Sequence, residues 1–179
     1  MSAIVRLATE ADLPRIVELL AQLAPDVADR EDPSRPDIYA SALVRSEAQN
    51  QRLFVVETDG RIVGTLILVI IENLSHQGKP YAIIENVVVD ESERGKGVGE
   101  TLIERAIDEA RRAGCYKVSL TSNKRRTEAH RFYERLGFQR TPRGVPDRLL
   151  TSPSSGLPRA IIAALCLARR RPQAVPRIR

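Results

Sequence analysis

The segment Arg94-Gly95-Lys96-Gly97-Val98-Gly99 stands between an apolar run and a helical repeat. Three glycines at alternate positions let the backbone come close to a ligand and turn its N–H groups inward. A helix starting there adds a partial positive charge at its N-terminus, and Arg94 and Lys96 add full charges. The chemistry is that of a phosphate or pyrophosphate site. Two nucleotide motifs are excluded by single residues. A P-loop needs Ser or Thr directly after Gly-Lys, where Gly97 stands, and the dinucleotide fingerprint needs Gly at the position of Glu100. A glycine-rich surface turn with solvated charges is the plain alternative.

The elements around this loop are legible from period and punctuation. Ala3 to Leu7 reads as a strand. Thr9 reads as an N-cap with Asp12 as its capping-box partner, ahead of an amphipathic helix from Glu10 to Ala24. A weaker helix is expected over Asp37 to Ala48. Arg52 to Thr58 and Arg61 to Ile71 form a hairpin through Asp59-Gly60, and Tyr81 to Val89 is the strand that leads into the glycine loop. Gly97 to Ala113 is a helix with Leu102, Ile103, Ala106, Ile107 and Ala110 on its buried stripe. A strand over Tyr116 to Thr121, a helix over Thr127 to Leu136 and a strand start at Phe138 to Arg140 follow. This order gives an α/β (α+β) chain with a mixed central sheet flanked by helices.

Two further segments bear on the loop. Ile84-Glu85-Asn86-Val87-Val88-Val89-Asp90 precedes it, and Ala129-His130-Arg131-Phe132-Tyr133-Glu134-Arg135-Leu136-Gly137-Phe138 follows. Together the three resemble the GNAT superfamily of acetyl-CoA-dependent N-acetyltransferases. Its loop pattern Q/R-x-x-G-x-G/A is matched at Arg94, Gly97 and Gly99. Its later pattern A-x-x-F/L-Y-E-x-x-G-F is matched from Ala129 to Phe138. The resemblance covers roughly residues 3–140 and implies a mostly antiparallel acyl-CoA N-acyltransferase fold. It further implies that the strand before the loop splays from its neighbour at a bulge. The backbones of Val87, Val88 and Val89 would then pair with pantetheine, and the N–H groups of Arg94, Gly95, Lys96, Gly97, Val98 and Gly99 would hold the pyrophosphate. The side chains of the three valines read as core.

Acetyl transfer to an amine needs a base for the amine, a donor for the oxyanion and an acid for the leaving thiolate. The resemblance assigns the acid to Tyr133, whose phenol matches the basicity of a thiolate. The competing reading is a core tyrosine, because Ala129, Phe132, Tyr133 and Leu136 share a helix face. A backbone N–H of Val87 or Val89 is the expected oxyanion donor. Glu85 is the candidate base, two residues before Val87 and on the same face of the strand; a structural ion pair is its alternative. His76 is chemically capable but lies in a polar loop and reads as a surface histidine. Many family members place a pantetheine-binding Asn where Arg126 stands here, so either Asn123 is the substitute or no residue is. Lys124-Arg125-Arg126 is either a solvated run or a contact for the 3′-phosphate of coenzyme A.

Composition narrows the rest. The chain has 179 residues, enough for one domain with a full core. Its two cysteines, Cys115 and Cys166, and two histidines give no disulfide scaffold and no expected metal site. No apolar run nears the ~20 residues of a membrane span, and no signal peptide is readable, so a cytoplasmic protein without membrane partners is expected. Residues 1–140 carry 20 Lys+Arg and 22 acids, a net −2, whereas residues 141–179 carry eight Arg and one acid, a net +7. The basic excess therefore belongs to an atypical Arg/Pro-rich tail, which has no aromatic residue to stack on bases, and no nucleic-acid partner is expected. Residues 1–140 read as the N-acetyltransferase-like domain. The last strand that the family fold needs is not legible after Arg140, which would leave an open sheet edge. The apolar stretch Ala160 to Ala168 is the one tail segment suited to dock there or on a second chain, as in a homodimer. The function expected is acetyl transfer from acetyl-CoA to a primary amine of a small molecule by direct attack. Two alternatives stand beside it. One is protein N-terminal or lysine acetylation, with Asp26, Asp29, Glu31 and Asp32 as an acidic groove. The other is a non-catalytic acyl-CoA-binding module.

Overall fold

A computed structural model describes residues 3–23, 31–122, 126–140 and 146–150. The strands are β1 (Ile4–Leu7), β2 (Gln51–Thr58), β3 (Arg61–Ile71), β4 (Tyr81–Val89), β5 (Lys117–Leu120), β6 (Gln139–Arg140) and β7 (Pro146–Leu149). The helices are α1 (Leu13–Leu20), α2 (Pro36–Ala48), α3 (Val98–Arg112) and α4 (Thr127–Arg135). Among the described residues the strands form one sheet in the order β1-β2-β3-β4-β5-β7-β6. Every neighbouring pair is antiparallel except β4 and β5. The mixed, mostly antiparallel sheet expected from the sequence is thus what forms.

Alternation along the strands sorts their apolar side chains to two faces. Phe54, Val56, Leu66, Leu68 and Ile84 meet the stripe of α3, where Leu102, Ile103 and Ala106 are fully buried. On the other face Ile16 and Leu19 of α1 close over Val55, Ile62 and Val88. Each of these large side chains contributes roughly 1.5–3 kcal/mol by leaving water, so the two clusters fix which way the sheet faces. α2 buries no side chain fully.

The start of α1 follows the expected cap. Asp12 accepts hydrogen bonds from the Thr9 N–H (2.7 Å) and hydroxyl (2.9 Å) and forms an ion pair with Arg6 of β1 (2.7 Å). The first turn, Glu10–Asp12, is a 3-10 helix, and α1 proper stops at Leu20 rather than Ala24 because the next turn tightens into i→i+3 bonds at Gln22 and Leu23. Arg6 and the Thr9 N–H hold the Asp12 carboxyl well below its ordinary value. A carboxyl whose pKa is lower folded than unfolded stabilises above its unfolded pKa, near 4, and loses that contribution as pH falls below it. Arg6 is partly solvated, which discounts the pair. Asp12→Asn should therefore cost about 1 kcal/mol at pH 7. Urea unfolding at pH 7 and pH 3 should show this deficit narrowing at the lower pH.

The expectation of a missing last strand is corrected. β7 lies antiparallel to β5 in the register Lys117↔Leu149, Val118↔Arg148 and Ser119↔Asp147, and β6 pairs on its far side. The Leu150 N–H donates to Tyr116 O at 2.9 Å, and the Arg148 guanidinium donates to Leu136 O at 2.6 Å. Pro146-Asp147-Arg148-Leu149 has no β-branched residue and no apolar alternation, so nothing local marks it as a strand. Backbone pairing with β5 and the Arg148 anchor decide it. The edge of β5 is covered by β7, and the sheet runs past Arg140 to Leu149. The segment Ala160 to Ala168 lies outside the described residues.

Candidate active site

β4 and β5 begin as parallel neighbours and then part. Their pairing covers Ala82↔Val118, Ile83↔Ser119 and Ile84↔Leu120. Beyond Ile84, β4 continues to Val89 with β3 on one side and no strand on the other among the described residues. The parting coincides with a bulge. Thr65 of β3 faces Val88 and Ile67 faces Glu85, so Asn86 and Val87 together oppose Leu66. Asn86 takes a left-handed φ of 53°, a conformation that asparagine tolerates better than most residues. The bulge leaves two residues of β4 opposite one of β3 and so interrupts the ladder at the fork.

A cleft of about 370 Å³ occupies the fork and is lined by Glu85, Asn86, Val87, Thr121, Ser122, Arg126 and Tyr133, with Leu23 from the turn after α1. Glu85 and Tyr133, far apart in sequence, therefore share one cavity. Thr121 Oγ1 donates to Glu85 Oε1 at 3.2 Å or Oε2 at 3.1 Å and aims the carboxylate. Tyr133 is 8% exposed and packs its ring against Phe132 and Phe138. Burial pushes its phenol above the ordinary value; the nearby Arg126 cation opposes that rise and the Glu85 carboxylate adds to it. The hydroxyl accordingly stays protonated through neutral pH. Expected strand alternation put Glu85 and Val87 on one face with Asn86 opposite. The bulge breaks that alternation, and all three residues border the cleft.

The glycine loop follows at the far end of β4. Asp90 caps the 3-10 turn Glu91–Glu93 by accepting from the Ser92 N–H, and Arg15 of α1 holds the same carboxylate. Gly97 is the N-cap of α3 with φ of 84°, and a Cβ there would point into open space. Its freedom is conformational, because a left-handed non-glycine residue costs roughly 1–2 kcal/mol. Gly99 differs: a Cβ on it would lie 3.3 Å from Phe132 Cζ, so its smallness lets α4 close over the start of α3. The first-turn N–H groups of α3 have no intrahelical acceptor and face the loop. Arg94 is anchored to Val89 O (3.3 Å) and Glu91 (3.4 Å), and Lys96 to Glu93 (3.1 Å).

The remaining candidates divide. Val88 is core, as read, and Val87 and Val89 are partly buried against it. His76 stacks on Tyr116 with ring centroids 3.9 Å apart, at the opposite end of β4 from the loop. Asn123, Lys124 and Arg125 lie outside the described residues. Thr121, Ser122 and Arg126 enter the cleft without having been assigned to it from sequence. A polar pair directly after a strand was the available signal for the first two.

An open edge of β4, a glycine loop leading into the unpaired first-turn N–H groups of α3, and a carboxylate and a buried phenol bordering one cleft suit an extended thioester carrier ending in a pyrophosphate. The sequence model of the Acetyltransferase (GNAT) family matches residues 13–138. The chain belongs to that family. As a GNAT protein it is an acetyl-CoA-dependent N-acetyltransferase. It is 36% identical over 136 residues to the glucosamine 6-phosphate N-acetyltransferase of Trypanosoma brucei brucei, covering 75% of this chain and 87% of that one. It is 29% identical over 136 residues to the aminoalkylphosphonate N-acetyltransferase of Salmonella typhimurium, covering 76% and 84% of the two chains. Among solved structures, a Trypanosoma brucei acetyltransferase superposes with a TM-score of 0.70 at 31% identity, covering 84% of this chain and 99% of that one. No helix among the described residues is long and apolar enough to cross a membrane.

Proposed function

We propose that this chain moves the acetyl group of acetyl-CoA to a primary amine of a small molecule by direct attack at the fork between β4 and β5. The observation that carries the reading is the convergence of Glu85, Tyr133 and the bulged backbone at Asn86 and Val87 on one cleft. The two small-amine acetyltransferases above support the acceptor class.

When bound, acetyl-CoA supplies an activated acetyl thioester. The backbones of Val87, Val88 and Val89 extend the sheet to its pantetheine arm, and the loop Arg94 to Gly99 receives its pyrophosphate on N–H groups at the start of α3. Glu85, aimed by Thr121, takes a proton from the incoming ammonium. A backbone N–H at Val87 or Val89 stabilises negative charge on the carbonyl oxygen. As the carbon–sulfur bond breaks, Tyr133 gives its proton to the departing sulfur, and the second proton lost by the new amide nitrogen restores the phenol. An acetyl-CoA consumption screen over small amines, polyamines and peptides tests the reading. Turnover on amines supports it, turnover confined to peptides would replace it with protein acetylation, and binding without turnover would leave only an acyl-CoA module.

The loop assignment has its own test. Gly97→Asn and Gly97→Asp impose the same backbone strain, but only the aspartate adds a negative charge where the pyrophosphate lies. Calorimetric titration with acetyl-CoA should give Gly97→Asp at least about tenfold weaker binding than Gly97→Asn. Equal affinities would move the pyrophosphate elsewhere.

A further inference from the structure

We propose that Arg126 selects the acceptor, so that the cleft prefers amines carrying an oxyanion, a phosphate, phosphonate or carboxylate, which the Arg126 guanidinium binds while Glu85 receives the amine. This rests on the reading of the cleft as the acetyl-transfer site. Among the described residues that line it, Glu85 and Arg126 are the two charged groups, of opposite sign. Asn86, Thr121 and Ser122 supply neutral polar contacts. Such walls are complementary to a zwitterion and poorly matched to a simple cationic amine.

The two charges do not cancel each other. The hydrogen bonds of Glu85 go to Thr121. The Arg126 side chain makes no ion pair or hydrogen bond among the described residues, although its carbonyl is engaged by the His130 N–H at 3.1 Å. Its backbone is thus held at the start of α4 while the guanidinium is free to meet a ligand. The fork of an arginine matches the paired oxygens of phosphate or carboxylate. The Arg126 side chain borders the same cleft as Tyr133, and its charge opposes the rise that burial gives the phenol.

Matched acceptor pairs test the proposal: glucosamine 6-phosphate against glucosamine, and phosphoethanolamine against ethanolamine. The wild-type protein should favour the charged member of each pair by at least tenfold in kcat/KM. Arg126→Gln should collapse that ratio towards one, chiefly through KM, and Arg126→Lys should keep part of it. The preference should also shrink as salt rises, because Arg126 is exposed. Acetyl-CoA affinity by calorimetry and the far-ultraviolet circular dichroism spectrum should stay as in wild type. Two results would overturn the inference while leaving amine acetylation intact. One is a wild-type protein indifferent to the charge. The other is an Arg126→Gln variant that loses acetyl-CoA affinity or loses both members of a pair equally, which would assign Arg126 to the cosubstrate. Turnover on peptides alone would overturn this proposal and the acceptor reading together.

Discussion

Tyr133→Phe should lower turnover by about 10²–10⁴ while acetyl-CoA binds as before. The substitution keeps the ring, and with it the contacts to Phe132 and Phe138, and removes only the hydroxyl that borders the cleft. Stability should therefore change little, which separates the chemical role from the packing role that the same helix face also allows. The pH profile sharpens the test. An acid acts in its protonated form, so its contribution is lost only as pH rises through its pKa in the folded protein. Burial and the Glu85 carboxylate hold that value above the 10.0 of an ordinary tyrosine. The alkaline limb of kcat assigned to Tyr133 should lie above that value and be missing from Tyr133→Phe. Near-normal turnover in the variant would make the hydroxyl a bystander of a core residue.

The glycine loop and Glu85 stand out in the sequence through local features, glycine spacing before a helical repeat and a lone acid in an apolar strand, whereas Tyr133 is singled out by the resemblance alone; the structure brings Glu85 and Tyr133 to one cleft, and their roles there are proposals. Element boundaries also fell close to the hydrophobic period. The departures came from long-range pairing. Asn86 and Val87 sit in a run that reads as plain alternation, and only the register against β3 reveals that two residues there face one. Thr121, Ser122 and Arg126 follow β5 or open α4, and they border the same cleft as Glu85 because β5 stops at Leu120 while β4 goes on. β7 was missed for a related reason. Its four residues carry no strand signature, and their place is set by the unpaired edge of β5 and by an arginine that reaches the carbonyl of Leu136.

Glu85→Gln is expected to lower kcat/KM by about 10²–10³ at neutral pH, with a deficit that narrows as pH rises. The amide keeps the size of the side chain and an oxygen to accept from Thr121, so the fork should remain as built. What it loses is the ability to take a proton. Below the pKa of the acceptor, near that of a free amine, the nucleophile arrives as ammonium and needs the carboxylate. Above it the free amine arrives ready to attack, and the variant is spared the step it cannot perform. A purely structural Glu85 would behave differently, with a loss constant in pH and matched by Thr121→Val, which cuts the same hydrogen bond from the other side. The variant also reports on Tyr133. Glu85 is one of the influences that raise the phenol, so removing its charge should move the alkaline limb of kcat to lower pH. A limb that stayed in place would mean that burial, and not the carboxylate, sets the phenol.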